Sequence, residues 1–241
     1  MSTLKWLIPG IVFFTASVSS CEKHVFNSIK GKGASVTETR NLSGFTQISL
    51  DINGDVHYIQ DSVYYVEITA QQNVLDVITT EISDGELEID SRKWIRKHSG
   101  ITIVIHSPVI YAFDVSGSGT ISAASTITTS SLDLEVSGSG NISLASVYSN
   151  NLETDISGSG NVTVSGGLVT TQEADVSGSG DIETDNLSAT NVDAEISGSG
   201  SIRVWATTSL NAKISGSGNI RYKGNPSVNT TISGSGSVIH L

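Results

Sequence analysis

Val136-Ser137-Gly138-Ser139-Gly140-Asn141-Ile142 decides the architecture, because its centre recurs. Ser-Gly-Ser-Gly begins at Ser116, Ser137, Ser157, Ser177, Ser197, Ser215 and Ser233, at intervals of 21, 20, 20, 20, 18 and 18 residues. A period near 20 is the length of one coil of a stacked β-solenoid. The residue before each copy is always β-branched and apolar (Val115, Val136, Ile156, Val176, Ile196, Ile214, Ile232), and so is the one following the next polar residue (Ile121, Ile142, Val162, Ile182, Ile202, Ile220, Val238).

Around these columns the pattern has period two. Leu132, Leu134 and Val136 share one strand face while Asp133 and Glu135 take the other; downstream, Ile142 and Leu144 alternate with Asn141 and Ser143. Each repeat therefore reads as strand, tight glycine corner, strand and a looser return such as 145–151. One such unit leaves its apolar row uncovered in water. Stacking coils about 4.8 Å apart covers it and pairs every strand, and each buried aliphatic side chain contributes roughly 1.5–3 kcal/mol. The expectation is an all-β parallel solenoid with 18–21 residues per coil over 114–241, preceded by a less regular β region over 44–113. The corner glycines are read as structural. A phosphate-cradling loop needs a following helix and a Lys-Ser/Thr or third glycine, which are missing.

In 44–113 the β signal persists without the tetrapeptide, with strands expected over 46–50, 56–60, 64–69, 86–90 and 101–106. A helical turn is expected near 73–77 and an Asp84-Gly85 hairpin between 78–83 and 86–90. Ile29 with Lys30-Gly31-Lys32-Gly33 resembles a worn corner. Asp51-Ile52-Asn53-Gly54-Asp55-Val56 resembles another with two residues deleted, with Ile52 in the row of Val176.

The N-terminus carries Lys5, an apolar run over 6–16 and Val18-Ser19-Ser20-Cys21. A charge, a short apolar stretch and small residues before a cut describe a secretory signal over 1–20. Cys21, the only cysteine, resembles the acylated residue of a bacterial lipoprotein, although Val18 and Ser20 replace the usual leucine and Gly or Ala. The alternative is ordinary secretion with Cys21 as a bystander. Residues 21–43 would be the tether, and the address would be the cell envelope, at the outer membrane. A formal charge of −11 argues against nucleic acid as a partner.

The stretch from Phe45 to Leu241 also resembles the putative autotransporter adhesin head domain named for its Gly-Ile-Asn motif. The resemblance rests on Phe45-Thr46-Gln47-Ile48, Asp84-Gly85-Glu86-Leu87-Glu88-Ile89, Ile105-His106-Ser107-Pro108 and the repeated Ser-Gly-Ser-Gly-Asn-Ile at Ser137–Ile142 and Ser215–Ile220. It implies a β-helix-like exported protein with an adhesive role. No translocator barrel follows the repeats, so the expected anchor is the lipid on Cys21.

Two acidic columns lie on the solvent side of the strand before each corner: Asp114, Glu135, Asp155, Asp175 and Glu195, continued by Lys213 and Thr231, and Asp133, Glu153, Glu173 and Asp193. Stacked like charges repel by about 1 kcal/mol per pair at 4 Å even in water. A solvated face that blocks sideways aggregation is the expectation, with calcium bridging as the alternative. Arg92, Lys93, Arg96 and Lys97 surround Trp94 between two expected strands, a candidate surface contact for polysaccharide or anionic lipid; the plain alternative is an exposed loop. His24, His57, His98, His106 and His240 have no metal-ligand spacing, and no Gly-x-Ser-x-Gly or His-Glu-x-x-His is present. No catalytic residue, metal or cofactor is expected. The functional expectation is a non-enzymatic binding or structural module with a polysaccharide or cell-surface ligand and room for self-association. The alternative is a polysaccharide lyase or hydrolase, whose site would have to interrupt the periodic columns.

Overall fold

The computed structural model describes residues 27–241. The expected signal peptide, Cys21 and His24 lie outside the described residues. The first part of the chain carries β1 (Ser28–Lys30), β2 (Ser35–Arg40), β3 (Gln47–Leu50), β4 (Asp55–Gln60), β5 (Tyr65–Gln71), the short helix α1 (Gln72–Leu75), β6 (Ile78–Ser83), β7 (Glu86–Ser91), β8 (Trp94–Lys97) and β9 (Thr102–Ser107). The repeats follow as β10 (Ala112–Val115), β11 (Thr120–Thr128), β12 (Ser131–Gly138), β13 (Asn141–Gly158), β14 (Asn161–Val164), β15 (Gly167–Gly178), β16 (Asp181–Gly198), β17 (Ser201–Gly216), β18 (Asn219–Lys223), β19 (Ser227–Gly234) and β20 (Ser237–His240).

The repeats stack as a parallel β-solenoid, in the register that the tetrapeptide dictates. Val115 lies over Val136, Val136 over Ile156, Ile156 over Val176, and so on to Ile232. A second ladder runs after the corner from Ile121 through Ile142, Val162, Ile182, Ile202 and Ile220 to Val238. Every member of both rows below the last coil is buried. The return segment, expected to be loose, is instead a third ladder: Ile127 on Val147, then Val169 on Ala189 on Ala206, all buried. Its signal in the sequence is weak because each coil supplies about one apolar side chain there, and Gly166-Gly167 breaks the alignment. Three polar side chains of the repeats, Thr154, Gln172 and Thr184, are fully buried, and Thr154 Oγ1 has no hydrogen-bond partner. Gln172 is fully buried and donates through Nε2 to Thr184 Oγ1 at 2.7 Å, while its Oε1 has no partner.

The region before the repeats is less regular, and it contributes two layers to the same ladders. β3 is parallel to both β10 and β7, and β4 to both β11 and β9. The chain thus lays down the β3–β4 layer, travels outward through β5, α1 and β6 to build the β7–β9 layer, and returns to place β10 on the other side of β3. Gln60 ties the β4 layer to the first repeat, donating to Thr128 O at 2.9 Å and accepting from Thr128 N at 2.8 Å.

Two corner equivalences need correction. Leu50, and not Ile52, pairs with Val115, so 51–54 is a full four-residue corner with nothing deleted. Residues 29–33 form no corner: β1 pairs with β8 in a separate two-stranded sheet, whose Ile29 and Ile95 pack against the core. The folded body also begins upstream of residue 44, within the expected tether, because β2 pairs antiparallel with β5 along its whole length.

The outer side of the β7–β9 layer is closed. Antiparallel β6 covers the edge of β7, and β5 followed by β2 covers that of β9. α1 buries Val74 and Leu75 at this end. Arg40 of β2 reaches across it to Ile78 O and Thr80 Oγ1, both at 3.0 Å, and Asn73 holds the incoming chain through Lys30 O and Lys32 N, both at 2.8 Å.

Candidate binding surface

Stacking in register turns the sequence columns into continuous outer faces. Asp114, Glu135, Asp155, Asp175 and Glu195 stand one above another, with Asp133, Glu153, Glu173 and Asp193 two residues to the side. Partial burial and like-charged neighbours raise the carboxyl pKa of Asp155, Glu153 and Asp175, the last to about 6. Asp114 is raised too, mainly by burial, against a hydrogen bond donated by Ser116 Oγ to Asp114 Oδ1 at 2.9 Å. The column ends in an ion pair, Lys213 Nζ to Glu195 Oε1 at 2.6 Å. Among the described residues no three His, Cys, Asp or Glu side chains converge on a point a metal ion could fill.

Charge is banded along the stack. From His98 to Ile202 there are twelve acidic residues and no Lys or Arg, whereas beyond Glu195 there is no acidic side chain and four basic ones. The remaining basic cluster is the 92–97 excursion between β7 and β9. Arg92 is exposed and donates through Nη2 to Asp76 O at 2.5 Å. Trp94 is 66% exposed. The excursion folds back beside the first corner, and a cleft of about 300 Å³ opens between them, lined by Asp51, Asn53, Trp94, Arg96, His98 and Ser118 among others. Burial, with the Asp90 carboxylate nearby, raises the pKa of Asp51. Lys93 and Lys97 are not in this lining. The sequence pointed to the excursion but could not supply its opposite wall, since Asp51 and Asn53 lie some forty residues upstream in a corner without the tetrapeptide.

Two further surface features escaped the sequence. An open groove of about 750 Å³ runs past Tyr58, Ala123, Ala124, Leu144 and Ala145, where the β11 ladder slips register between Ala123 and Thr126. On the outward side of the third ladder, Tyr148, Leu168 and Trp205 are exposed in nearly one row, separated by Ser188. Aligning the repeats on that ladder instead of on the corner would have found them.

A family model described as putative auto-transporter adhesin, head GIN domain, matches residues 44–226. Among solved structures the chain is similar to a putative adhesin from Bacteroides fragilis, at 26% identity and TM-score 0.83 over 88% of this chain and 100% of that one. It is also similar to a putative lipid binding protein from Parabacteroides distasonis, at 26% identity and TM-score 0.74 over 89% and 99%. A putative adhesin from the same organism gives 27% identity and TM-score 0.72 over 89% and 100%. No curated protein matches the chain.

Proposed function

Because the chain belongs to the family of the putative auto-transporter adhesin, head GIN domain, we propose that it is an exported, lipid-anchored, non-enzymatic surface module that holds a saccharide in the Trp94 cleft. The observation that carries the ligand class is the composition of that cleft. It sets an exposed indole beside Arg96 and His98 on one wall and Asp51, Asn53 and Ser118 on the other. An aromatic face with an amide, a hydroxyl, a carboxylate and a guanidinium suits a hydroxyl-rich ring, which stacks on the indole and exchanges hydrogen bonds with the polar rim. An anionic lipid headgroup would meet the Asp51 carboxylate, which disfavours it. The non-enzymatic reading is supported by the acidic residues of the repeats, which follow the periodic columns even where Asp114, Asp133 and Glu135 line a cavity of about 240 Å³ with Glu86.

Anchoring is assigned to a lipid on Cys21, with the signal peptide removed. Two experiments test the reading. Trp94→Ala should weaken binding to the glycans an array identifies for the wild-type chain by roughly tenfold, the scale of losing one aromatic anchor; unchanged binding removes the cleft from the account. Cys21→Ala should move the protein from the membrane to the soluble fraction, and retention at the wild-type level would refute the lipid anchor.

A further inference from the structure

Toward β17 and β18 the charge of the repeats changes sign. From Ile196 onward there is no Asp or Glu, and the basic residues are Arg203, Lys213, Arg221 and Lys223. The two lysines are already neutralised, Lys213 by Glu195 at 2.6 Å and Lys223 by Asp185 at 2.9 Å. The two arginines are not: among the described residues neither has a carboxylate partner. Arg221 donates through Nη1 to Ser201 Oγ at 3.0 Å, while the Arg203 guanidinium has no hydrogen-bond partner among the described residues.

Stacking brings these two side chains together beside an aromatic one. β17 and β18 run parallel with Arg203 opposite Arg221, so their Cα atoms stand about 4.8 Å apart. Ile202 and Val204 are buried, which turns Arg203 and Trp205 outward on the same side of β17, about 6.6 Å apart along the strand. Trp205 is 37% exposed. Its indole leans on the neighbouring coil at Gly224, where a Cβ would come within 3.1 Å of Trp205 Cδ1. Like charges in adjacent strands repel, and nothing in their own column relieves them: Ile239 continues it on one side, and Glu183, on the other, forms no ion pair with Arg203.

We propose that Arg203, Arg221 and Trp205 form a second saccharide site, selective for an acidic sugar ring such as the carboxylated unit of a uronic-acid polysaccharide. The free Arg203 fork takes the carboxylate as a bidentate pair, and Arg221 adds the second positive charge. The ring stacks on the exposed indole, which a bare anion would leave unused. Glu183 repels the carboxylate from its own coil and so directs it toward Arg221. A phosphate-bearing lipid surface is disfavoured because a chain of formal charge −11 is repelled as a whole by an anionic bilayer, whereas a single sugar unit meets only the patch. The site lies several coils away from the Trp94 cleft, whose corner residues are Gly117 and Ser118, so each binds without the other.

The test uses the full chain and an oligogalacturonate, with the same oligosaccharide methyl-esterified at its carboxyl groups as the uncharged counterpart. Calorimetry at low salt should show binding of the acid, and binding of the ester weaker by roughly tenfold or more, the scale of losing a charged hydrogen-bonded pair. Arg203→Gln with Arg221→Gln should weaken binding of the acid by a similar roughly tenfold factor. Arg203→Lys should recover only part of the loss seen in Arg203→Gln, because lysine restores the charge without the fork. Trp205→Leu should weaken binding as well, and circular dichroism checks that each variant keeps the fold; Arg203, exposed and without a side-chain partner, is the variant least able to disturb it. Lys97→Gln, in the basic excursion of the first layers, should change nothing. No binding by the wild-type chain, equal binding of acid and ester, binding indifferent to the arginines, or tighter arginine-dependent binding to phosphatidylglycerol vesicles would overturn the proposal.

Discussion

From Gly138 onward both glycines of a corner leave no room for a Cβ, and the first is constrained a second way. The first has a backbone that L side chains rarely adopt, with φ of 147° at Gly138 and 138° at Gly178. The second is needed for space: a Cβ on Gly180 would lie 2.3 Å from Gly160 O and 2.6 Å from Ile156 Cγ2 of the coil beneath. The backbone contact cannot swing away as a flexible side chain can. Gly180→Ala should therefore cost about 1–3 kcal/mol, the range for forcing extra volume into a packed site, read as a lower midpoint in denaturant unfolding; an unchanged midpoint would show that the coils can part locally. That glycine is required was plain from the repeats, but the backbone carbonyl that leaves no room for a Cβ is placed there by the neighbouring coil.

Parallel pairing in register brings equal positions of successive coils together, which converts the Asp and Glu columns into charged ladders. The raised pKa of Asp175, about 6, means that the folded chain holds its proton more tightly than the unfolded chain, whose carboxyl titrates near 3.8. Above pH 6 the ionised ladder therefore works against folding, and as pH falls from 7.5 through 6 toward 4 that penalty is relieved. The melting temperature should rise over this interval before other groups intervene. Asp175→Asn should stabilise the chain at pH 7.5 by roughly 0.5–1 kcal/mol, the scale of partly exposed charge pairs, and flatten the acid-side rise. A melting temperature that falls steadily from pH 7.5 to 5 would contradict this account of the ladder. The columns were legible because strand alternation and the period suffice to align them. The Trp94 cleft was legible on one wall only: the basic excursion is conspicuous as a charge run, whereas Asp51 and Asn53 join it through a corner whose sequence has lost the tetrapeptide.

Across the whole molecule, the stack is a one-dimensional array whose ends differ, and its stability depends on how each end layer is covered. At the closed end Leu75, 2% exposed, helps α1 seal the β7–β9 layer. Leu75→Ala should cost about 2–5 kcal/mol, as for other buried leucines, and urea unfolding checks it; a loss under 1 kcal/mol would mean that β2 and β6 seal the layer without the helix. The stacking order of the repeats was determined by the sequence alone, because a 20-residue period of β-branched rows and glycine corners buries its apolar faces only when coils pile in register. Only the tertiary structure decided the insertion of β3 and β4 between β7–β9 and the first repeat, the third ladder, and the closure of the β7–β9 layer by β2, β5 and β6. Those features rest on pairing between segments far apart in the chain, where hydrogen-bonded backbone carries the contact and local side-chain pattern records little of it.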